Sequence, residues 1–358
     1  MTTITISPKR RQYIKSLILS TLEKCSDISL PFKIKALCKT YANIRLIPFS
    51  KQMKRRNITY EEMKLFCGTN DSCADYYKDA DCYIVYYNDI DRSRIINSNR
   101  YRWNIAHELG HILLGHHKSF SKTRIFRSSL SNYEYNHLEA EADYFAQLIL
   151  VPHVVLYAFN ITSASDIKRI CQISGPAAAR RFYAFKEWAG NINKNDQYDK
   201  SLFYLYYNYI YKTNCRTCGA ELVLRKGSYC PICGNQTLSR GDGDMIYPKL
   251  DTYTDTGKLT VCQNCGNEET AIYGDYCQVC GICLVNYCTD NNCSYRRTAL
   301  PSNARFCPEC GSPSSFLTNK TLKAWNINEY EQPYETYPNI NTHVYVEDDE
   351  MNSYFPFH

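Results

Sequence analysis

The sequence lacks a hydrophobic run long enough to cross a membrane. Its longest apolar stretch, residues 148–159, is interrupted by Pro152 and His153 and is shorter than the roughly 20 residues that span a bilayer as a helix. The apolar segment over residues 16–22 is also short, and Glu23 follows it where a signal peptide would have small residues for cleavage. We therefore expect a cytoplasmic protein that has no membrane partner.

The first 60 residues are poor in acidic residues and the last 38 are poor in basic residues, although the formal net charge of the chain is only +6. Residues 1–60 contain 13 Lys and Arg but only two acidic residues, Glu23 and Asp27. Residues 321–358 contain one Lys and seven acidic residues. The basic segment could attract nucleic acid or an acidic protein, but a solvated helix surface is the simpler interpretation.

Disulfide bonds are not expected, despite 19 cysteines, because thiols stay reduced in the cytoplasm. Six cysteines are scattered before residue 200, and the other 13 fall between residues 215 and 310. A chain of 358 residues has room for two or three domains. The segregation of the cysteines indicates that the carboxyl-terminal part is organised differently from the first 200 residues.

Apolar residues spaced as in helices or strands run through the first 190 residues. They predict, in chain order, a helix over 8–24, a short helix after Pro31, a strand over 44–48, a turn at 68–75, a strand over 81–89, helices over 100–114 and 132–150 separated by a loop at 116–132, and two short helices over 163–188. From residue 191 the composition shifts to Asn, Asp, Lys and Tyr, which predicts a linker over 191–214.

The segment from Tyr101 to His117 holds four of the eight histidines. Its HELGH sequence places His107 and His111 four residues apart on one face of the predicted helix, where both can bind one metal ion. Glu108 lies beside the first histidine and can act as general base on a water activated by zinc, without binding the metal itself. This spacing is typical of zinc-dependent hydrolases.

A zinc hydrolase needs a third protein ligand, and the helix predicted over 132–150 is rich in acids. Glu139 and Asp143 share one face of this helix, which favours Glu139 as ligand and Asp143 as the acceptor that orients a ligand histidine. Glu141 is the rival third ligand, and His137 is a weaker choice. The HELGH helix and this acidic helix would then form two walls of one site.

A donor that stabilises the transition state does not stand out in the sequence. The candidates are two tyrosines and two histidines, each of which is more often structural than catalytic: Tyr101, His116, His117 and Tyr144. Gly110, inside HELGH, permits the close approach of a second helix. That glycine favours a packed helix pair around the metal site.

These motifs resemble the ImmA/IrrE family of metallopeptidases. The resemblance spans roughly residues 30–190 and rests on the strand and the HELGH helix, on the acidic helix with its sequence EAEADYFAQLILVP, and on the helices over 166–182. It implies an α+β fold, a minimal gluzincin-like zincin domain of helices on a small sheet. It also implies limited proteolysis of a helix-turn-helix repressor of a mobile element or stress regulon. His107, His111 and Glu139 match the family's metal ligands, and Glu108 matches its catalytic glutamate.

The cysteines after residue 214 form pairs typical of structural zinc sites. Two ribbon patterns each contain two CxxCG turns separated by eleven residues: Cys215, Cys218, Cys230 and Cys233 in the first, and Cys262, Cys265, Cys277 and Cys280 in the second. A looser third module contains Cys288, Cys293, Cys307 and Cys310, with Cys283 as an alternative to Cys288. We expect one catalytic and two to three structural zinc ions, the latter supplying the folding energy of small modules.

The domain organisation follows from these motifs. It comprises a metallopeptidase domain over 1–190, a linker over 191–214, ribbons over 215–240 and 258–284, a third module over 285–315, and an acidic tail rich in Tyr and Asn over 316–358. The usual small member of the resembled family lacks such cysteine modules. Few Lys or Arg lie between the ribbon cysteines, which favours a protein partner over nucleic acid. The alternative is a regulator that binds nucleic acid or protein and uses the zincin domain as a scaffold.

Overall fold

A computed structural model describes residues 5–90, 100–119, 123–125 and 130–326. The chain divides between Ile210 and Tyr211 into two units. Helices and small three-stranded sheets make up the described parts of both units. This architecture confirms the α+β fold class that the sequence predicted.

The first unit is largely helical. Its helices are α1 (Pro8–Leu22), α2 (Ile34–Lys39), α3 (Phe49–Arg56), α4 (Tyr60–Cys67), α5 (Arg100–Leu113), α6 (His116–Ser119), α7 (Asn132–Leu150), α8 (His153–Ala158), α9 (Ala164–Cys171), α10 (Gly175–Gly190), α11 (Gln197–Leu205) and α12 (Tyr207–Ile210). Its strands are β1 (Ile44–Pro48), β2 (Ser72–Tyr77) and β3 (Cys82–Tyr87), with a 3-10 turn at Lys78–Ala80. The predicted helices of the acidic and HELGH segments are α7 and α5.

Strand β3 is the centre of the first sheet, whose order is β1-β3-β2. It pairs in parallel with β1, where Ile44 lies opposite Tyr83, and antiparallel with β2, where Ser72 lies opposite Tyr87. Strands β1 and β3 were predicted. The turn predicted at 68–75 is confirmed for residues 68–71 and wrong for residues 72–75, because pairing with β3 holds this second half extended.

Helices α5 and α7 cross at Gly110. A Cβ atom on this glycine would lie 3.1 Å from the Cα atom of Ala142 and 3.2 Å from the Cβ atom of Phe145. The absence of a side chain therefore allows the two backbones to touch, as the sequence predicted. This contact sets the distance between the histidines of α5 and the acids of α7.

The linker predicted over 191–214 is wrong for most of its length. Residues 197–210 form α11 and α12, and α11 packs against α1 and α8. Its polar composition conceals an apolar face, on which Leu202, Phe203 and Tyr206 are fully buried. The predicted loop over 116–132 likewise begins with a short helix, α6.

The second unit contains β4 (Lys212–Cys215), β5 (Glu221–Val223), β6 (Leu238–Arg240) and α13 (Ser315–Thr318). The strands form an antiparallel sheet in the order β5-β4-β6. The first ribbon and the third module are joined by backbone hydrogen bonds, since the amides of Arg305 and Phe306 donate to the carbonyl oxygen of Pro231 over 2.7 and 2.9 Å. These two modules therefore fold against each other.

The predicted start of the acidic tail, residue 316, was too early. Phe316 and Leu322 are buried in the core of the second ribbon, and Trp325 packs on the core of the first. Residues 316–326 therefore belong to the ribbon modules, and residues 327–358 of the predicted tail lie outside the described residues. Within the part of the chain that is described, no helix combines the length and apolarity needed to cross a membrane.

Candidate metal centre and active site

Helices α5 and α7 bring His107, His111 and Glu139 together. The Nε2 atoms of the two histidines are 3.1 Å apart. The Oε2 atom of Glu139 lies 3.3 Å from Nε2 of His107, and its Oε1 atom lies 3.4 Å from Nε2 of His111. In a tetrahedral zinc site with bonds of about 2.0–2.1 Å, neighbouring ligand atoms are about 3.3 Å apart. The three side chains therefore fit a zinc ion.

The electrostatic surroundings of these residues favour one positive charge between them. Burial lowers the pKa of His111 to about 3, so its ring is neutral and offers a lone pair. Burial also lowers the pKa of His107, but hydrogen bonds to Asp143 and Glu139 outweigh it and raise that pKa to about 10. Two ring nitrogens that face each other at 3.1 Å can share at most one proton, whereas a metal ion satisfies both.

Asp143 occupies the place predicted for a residue that orients a ligand. Its Oδ1 atom lies 2.9 Å from Nδ1 of His107. The carboxylate accepts the Nδ1 proton and thereby leaves Nε2 of the same ring directed at Glu139. One turn of α7 separates Glu139 from Asp143, so a single helix face supplies both carboxylates.

The two other candidates for the third ligand lie elsewhere. Glu141 accepts hydrogen bonds from Nε and Nη2 of Arg10, at 2.8 and 2.7 Å, and its Oε2 atom is 3.0 Å from Nε2 of His116. His137 contacts the hydroxyl group of Tyr133 at 3.1 Å. Neither side chain joins the group of converging ligand atoms.

His116 lies behind His111, one of the three candidate metal ligands. Their Nδ1 atoms are 2.8 Å apart, and His116 is 2% exposed. Through Glu141, this contact continues to Arg10 on α1. The sequence could not show this arrangement, because the interaction joins four helices. The available signal was the unassigned histidine itself.

Replacing His116 with glutamine should weaken metal binding at His111. A histidine ligand whose other ring nitrogen loses its partner binds metal about 10–100-fold more weakly, and Glu141 and Arg10 would keep their ion pair. Competition with a chelator of known zinc affinity measures the change in the purified chain. His137→Gln is the matched control, since this partly exposed histidine of α7 lies outside the group of converging ligand atoms; equal zinc affinity in the two variants would contradict the prediction.

Glu108 lies next to the candidate metal ligand His107 and contacts the sheet. The hydroxyl group of Ser72, the first residue of β2, donates to its Oε1 atom over 2.8 Å. Burial raises the pKa of Glu108, which makes its carboxylate a stronger base. The sequence did not indicate Ser72, because the segment was predicted to be a turn and carries no motif.

These residues line one cleft of about 760 Å³, which extends from β2 across α5 and α7 to the first turns of α10. Of the four candidate transition-state donors, only His117 lines it. His116 lies behind His111, Tyr101 packs under Lys35, and Tyr144 packs against Arg11. A volume of this size accommodates several residues of an extended peptide.

Arg102 fixes the far wall of the cleft and was not predicted. It is 6% exposed, and its guanidinium group donates to the carbonyl oxygens of Cys171 at 2.7 Å and Phe32 at 2.9 Å. These bonds tie α5 to the end of α9 and so position the start of α10. The available signal was an arginine between two aromatic residues of this helix, Tyr101 and Trp103.

Twelve of the 13 cysteines of the second unit form three groups, and all 13 are free thiols. The groups are Cys215, Cys218, Cys230 and Cys233; Cys262, Cys265, Cys277 and Cys280; and Cys288, Cys293, Cys307 and Cys310. Paired sulfur atoms are 3.5–3.8 Å apart, much longer than a disulfide bond. Tetrahedral zinc–thiolate sites with bonds of about 2.3 Å have sulfur atoms about 3.8 Å apart, so each group fits a zinc ion.

Cys283 stays outside these groups, because its thiol donates to the carbonyl oxygen of Val285 at 3.3 Å. The structure thus places Cys288 in the third group. The glycines of the knuckles adopt the left-handed backbone that the CxxCG pattern predicted, with φ of 70° at Gly219 and 75° at Gly311.

The fold and the converging ligands define a zincin-like metallopeptidase domain within the first unit. Residues 83–189 match the sequence model of the Peptidase M78 family, which is described as the IrrE N-terminal-like domain. This match confirms the resemblance that the HELGH and EAEAD motifs carry. A comparison with curated proteins gave no match. The family and the four ligand groups support a metallopeptidase that uses zinc.

Proposed function

We propose that this protein is a zinc-dependent endopeptidase that performs limited proteolysis of a regulatory protein. The observation that carries the proposal is the convergence of His107, His111 and Glu139 beside Glu108, in one cleft of a Peptidase M78 domain. When bound there, zinc would polarise the scissile carbonyl group and lower the pKa of a water molecule. The other three groups would hold structural zinc ions.

Other side chains of the cleft would transfer the proton and orient the ligand histidine. Ser72 occupies Oε1 of Glu108, so Oε2 is the atom that takes a proton from water and returns it to the leaving amine. Asp143 holds the ring of His107 through Nδ1. The products are a carboxylic acid and an amine, with one water consumed. Burial of the site keeps these hydrogen bonds strong.

The proposed substrate is a helix-turn-helix repressor, and the ribbons are proposed to bind a protein partner. Purified protein should cut, at a single position, a repressor encoded next to its own gene, and a zinc chelator should abolish the cut. Mass spectrometry of the products locates the bond. Cleavage that survives complete removal of the metal would contradict the proposal, and failure to cut any neighbouring repressor would contradict the choice of substrate.

An exposed basic cluster favours the second candidate, a nucleic-acid-binding regulator. Lys54, Arg55 and Arg56 at the end of α3 are all exposed, and such clusters bind phosphates electrostatically. This function predicts binding to DNA or RNA that weakens steeply with salt and is unchanged in Glu108→Gln. Binding of that kind without any cleavage would favour the scaffold role for the zincin domain.

A further inference from the structure

Helix α10 contributes two adjacent arginines, Arg180 and Arg181, to the wall of the cleft that contains Glu108 and the proposed metal ligands. The cleft has two other arginines, and each of them has a carboxylate partner. Arg100 pairs with Asp71 at 2.6 Å, and Arg124 forms a buried pair with an aspartate of β2. The α10 arginines differ from these.

Arg181 is the unusual member of the pair. Its Nε atom is buried and has no hydrogen-bond partner among the described residues. A buried donor without a partner costs free energy that a bound acceptor would recover. In the described part of the chain, no carboxylate forms an ion pair with Arg180 or Arg181. Two arginines without an ion-pair partner among the described residues therefore line the cleft.

The position of Arg181 is defined by its neighbours. Its guanidinium carbon lies 5.4 Å from the centre of the Trp103 ring, and Trp103 precedes His107 by one turn of α5. Asp143 is near enough to attract Arg181, but its carboxylate already accepts from His107 at 2.9 Å. The guanidinium group is thus held beside the metal site while its hydrogen-bonding capacity remains available.

The start of α10 adds to the positive potential of this wall. Ser174 caps the helix, and both Ser174 and Ala177 line the cleft. The amino terminus of a 16-residue helix carries a partial positive charge. Burial lowers the pKa of Arg181, and Asp143 offsets this only in part, so an anion at this place would be stabilised by both the helix and the side chain.

We propose that Arg181, with Arg180 beside it, forms a subsite for an acidic side chain of the substrate close to the scissile bond. The planar guanidinium group offers two parallel donors that match a carboxylate, and the ring of Trp103 keeps it in place. This inference rests on the proposed peptidase function. It specifies what that function leaves open, namely that the enzyme selects substrates with Asp or Glu within a few residues of the cut.

Two assays on the full-length zinc-loaded protein test the subsite. In the first, a peptide library prepared from a whole proteome is digested, and the cut positions are read by mass spectrometry. In the second, tripeptide hydroxamates that carry Glu or Gln at each position are titrated by calorimetry. The variants are Arg181→Gln and Arg181→Lys. Arg169→Gln is the matched control, since this exposed arginine of α9 lies outside the cleft and pairs with Asp166.

Wild-type protein should preferentially cut peptides that carry Asp or Glu at one fixed position within a few residues of the scissile bond. It should also bind one Glu hydroxamate about tenfold more tightly than its Gln counterpart, as expected for one charge-assisted pair. Arg181→Gln should remove both preferences, Arg181→Lys should keep part of them, and Arg169→Gln should keep both. The lysine variant also guards against loss of folding in the glutamine variant.

The two assays separate failure of the subsite from failure of the proposed function. If the wild type cuts peptides without acidic preference and binds the Glu and Gln hydroxamates equally, the subsite is overturned and the peptidase stands. If it cuts nothing but still prefers the Glu hydroxamate in an Arg181-dependent manner, the proposed function fails and the subsite stands. Preferences that are unchanged in Arg181→Gln would also overturn the subsite.

Discussion

Glu108→Gln protein is expected to keep its full complement of zinc and to lose cleavage by about 10²–10⁴-fold, the usual contribution of a general base. Metal binding should persist, because Glu108 lies outside the converging ligand group. The amide oxygen of glutamine can still accept the hydrogen bond that Ser72 now donates to Oε1. What the substitution removes is the capacity to take a proton from water.

Rates on the repressor that the wild type cuts, or on the peptide library, measure the loss, and elemental analysis measures the zinc. Glu187→Gln makes the same chemical change at an exposed position of α10 and should cleave at the wild-type rate. A Glu108→Gln protein that retains zinc and cleaves like the wild type would show that the proposed mechanism is wrong. Loss of zinc together with activity would instead indicate that Glu108 is a ligand.

The second large effect concerns the number and the roles of the zinc ions. Four ligand groups predict four zinc ions per chain in the wild type and three in His107→Ala. The alanine variant should keep its ribbons folded, because the cysteine groups lie in the second unit. Elemental analysis of protein purified without chelators gives the number of zinc ions. An identical number in the wild type and His107→Ala would contradict the proposed zinc site at His107.

Cys230→Ser should also lose one zinc ion, but with a different structural result. Zinc supplies about 10–16 kcal/mol to the folding of a small four-cysteine module, so we expect the first ribbon to unfold. The disorder should spread to residues 305–308, which hydrogen-bond to Tyr229 and Pro231 beside this cysteine. Hydrogen exchange would show faster exchange in both places. Cys283→Ser, outside every cysteine group, should keep four zinc ions and wild-type exchange.

The local patterns of the sequence predicted the parts of the site that a few neighbouring residues define. His107 and His111 share a helix face because they are four residues apart, and this follows from helix geometry alone. The CxxCG pairs specify knuckles with a left-handed glycine for the same kind of reason. Central strand β3 was readable from its run of β-branched and aromatic residues.

Composition gave wrong secondary-structure predictions where polar residues surround the buried positions of a helix or strand. The segment over 191–214 is rich in Asn, Asp, Lys and Tyr, yet Leu202, Phe203 and Tyr206 are buried. Only the contact of α11 with α1 and α8 makes the helix stable. Strand β2 is a similar case, since its pairing with β3 outweighs a polar sequence.

The sequence by itself determined the kind of chemistry, that is, the HELGH ligands, the adjacent glutamate and three four-cysteine groups. The tertiary structure decided which acid faces the histidines, because Glu139 and Glu141 are close in sequence and the rotation of α7 against α5 sends them in different directions. It alone placed Ser72 on Glu108 and Arg181 in the cleft. Helix periodicity fixes relations within one element, whereas contacts between distant segments depend on how complete elements pack.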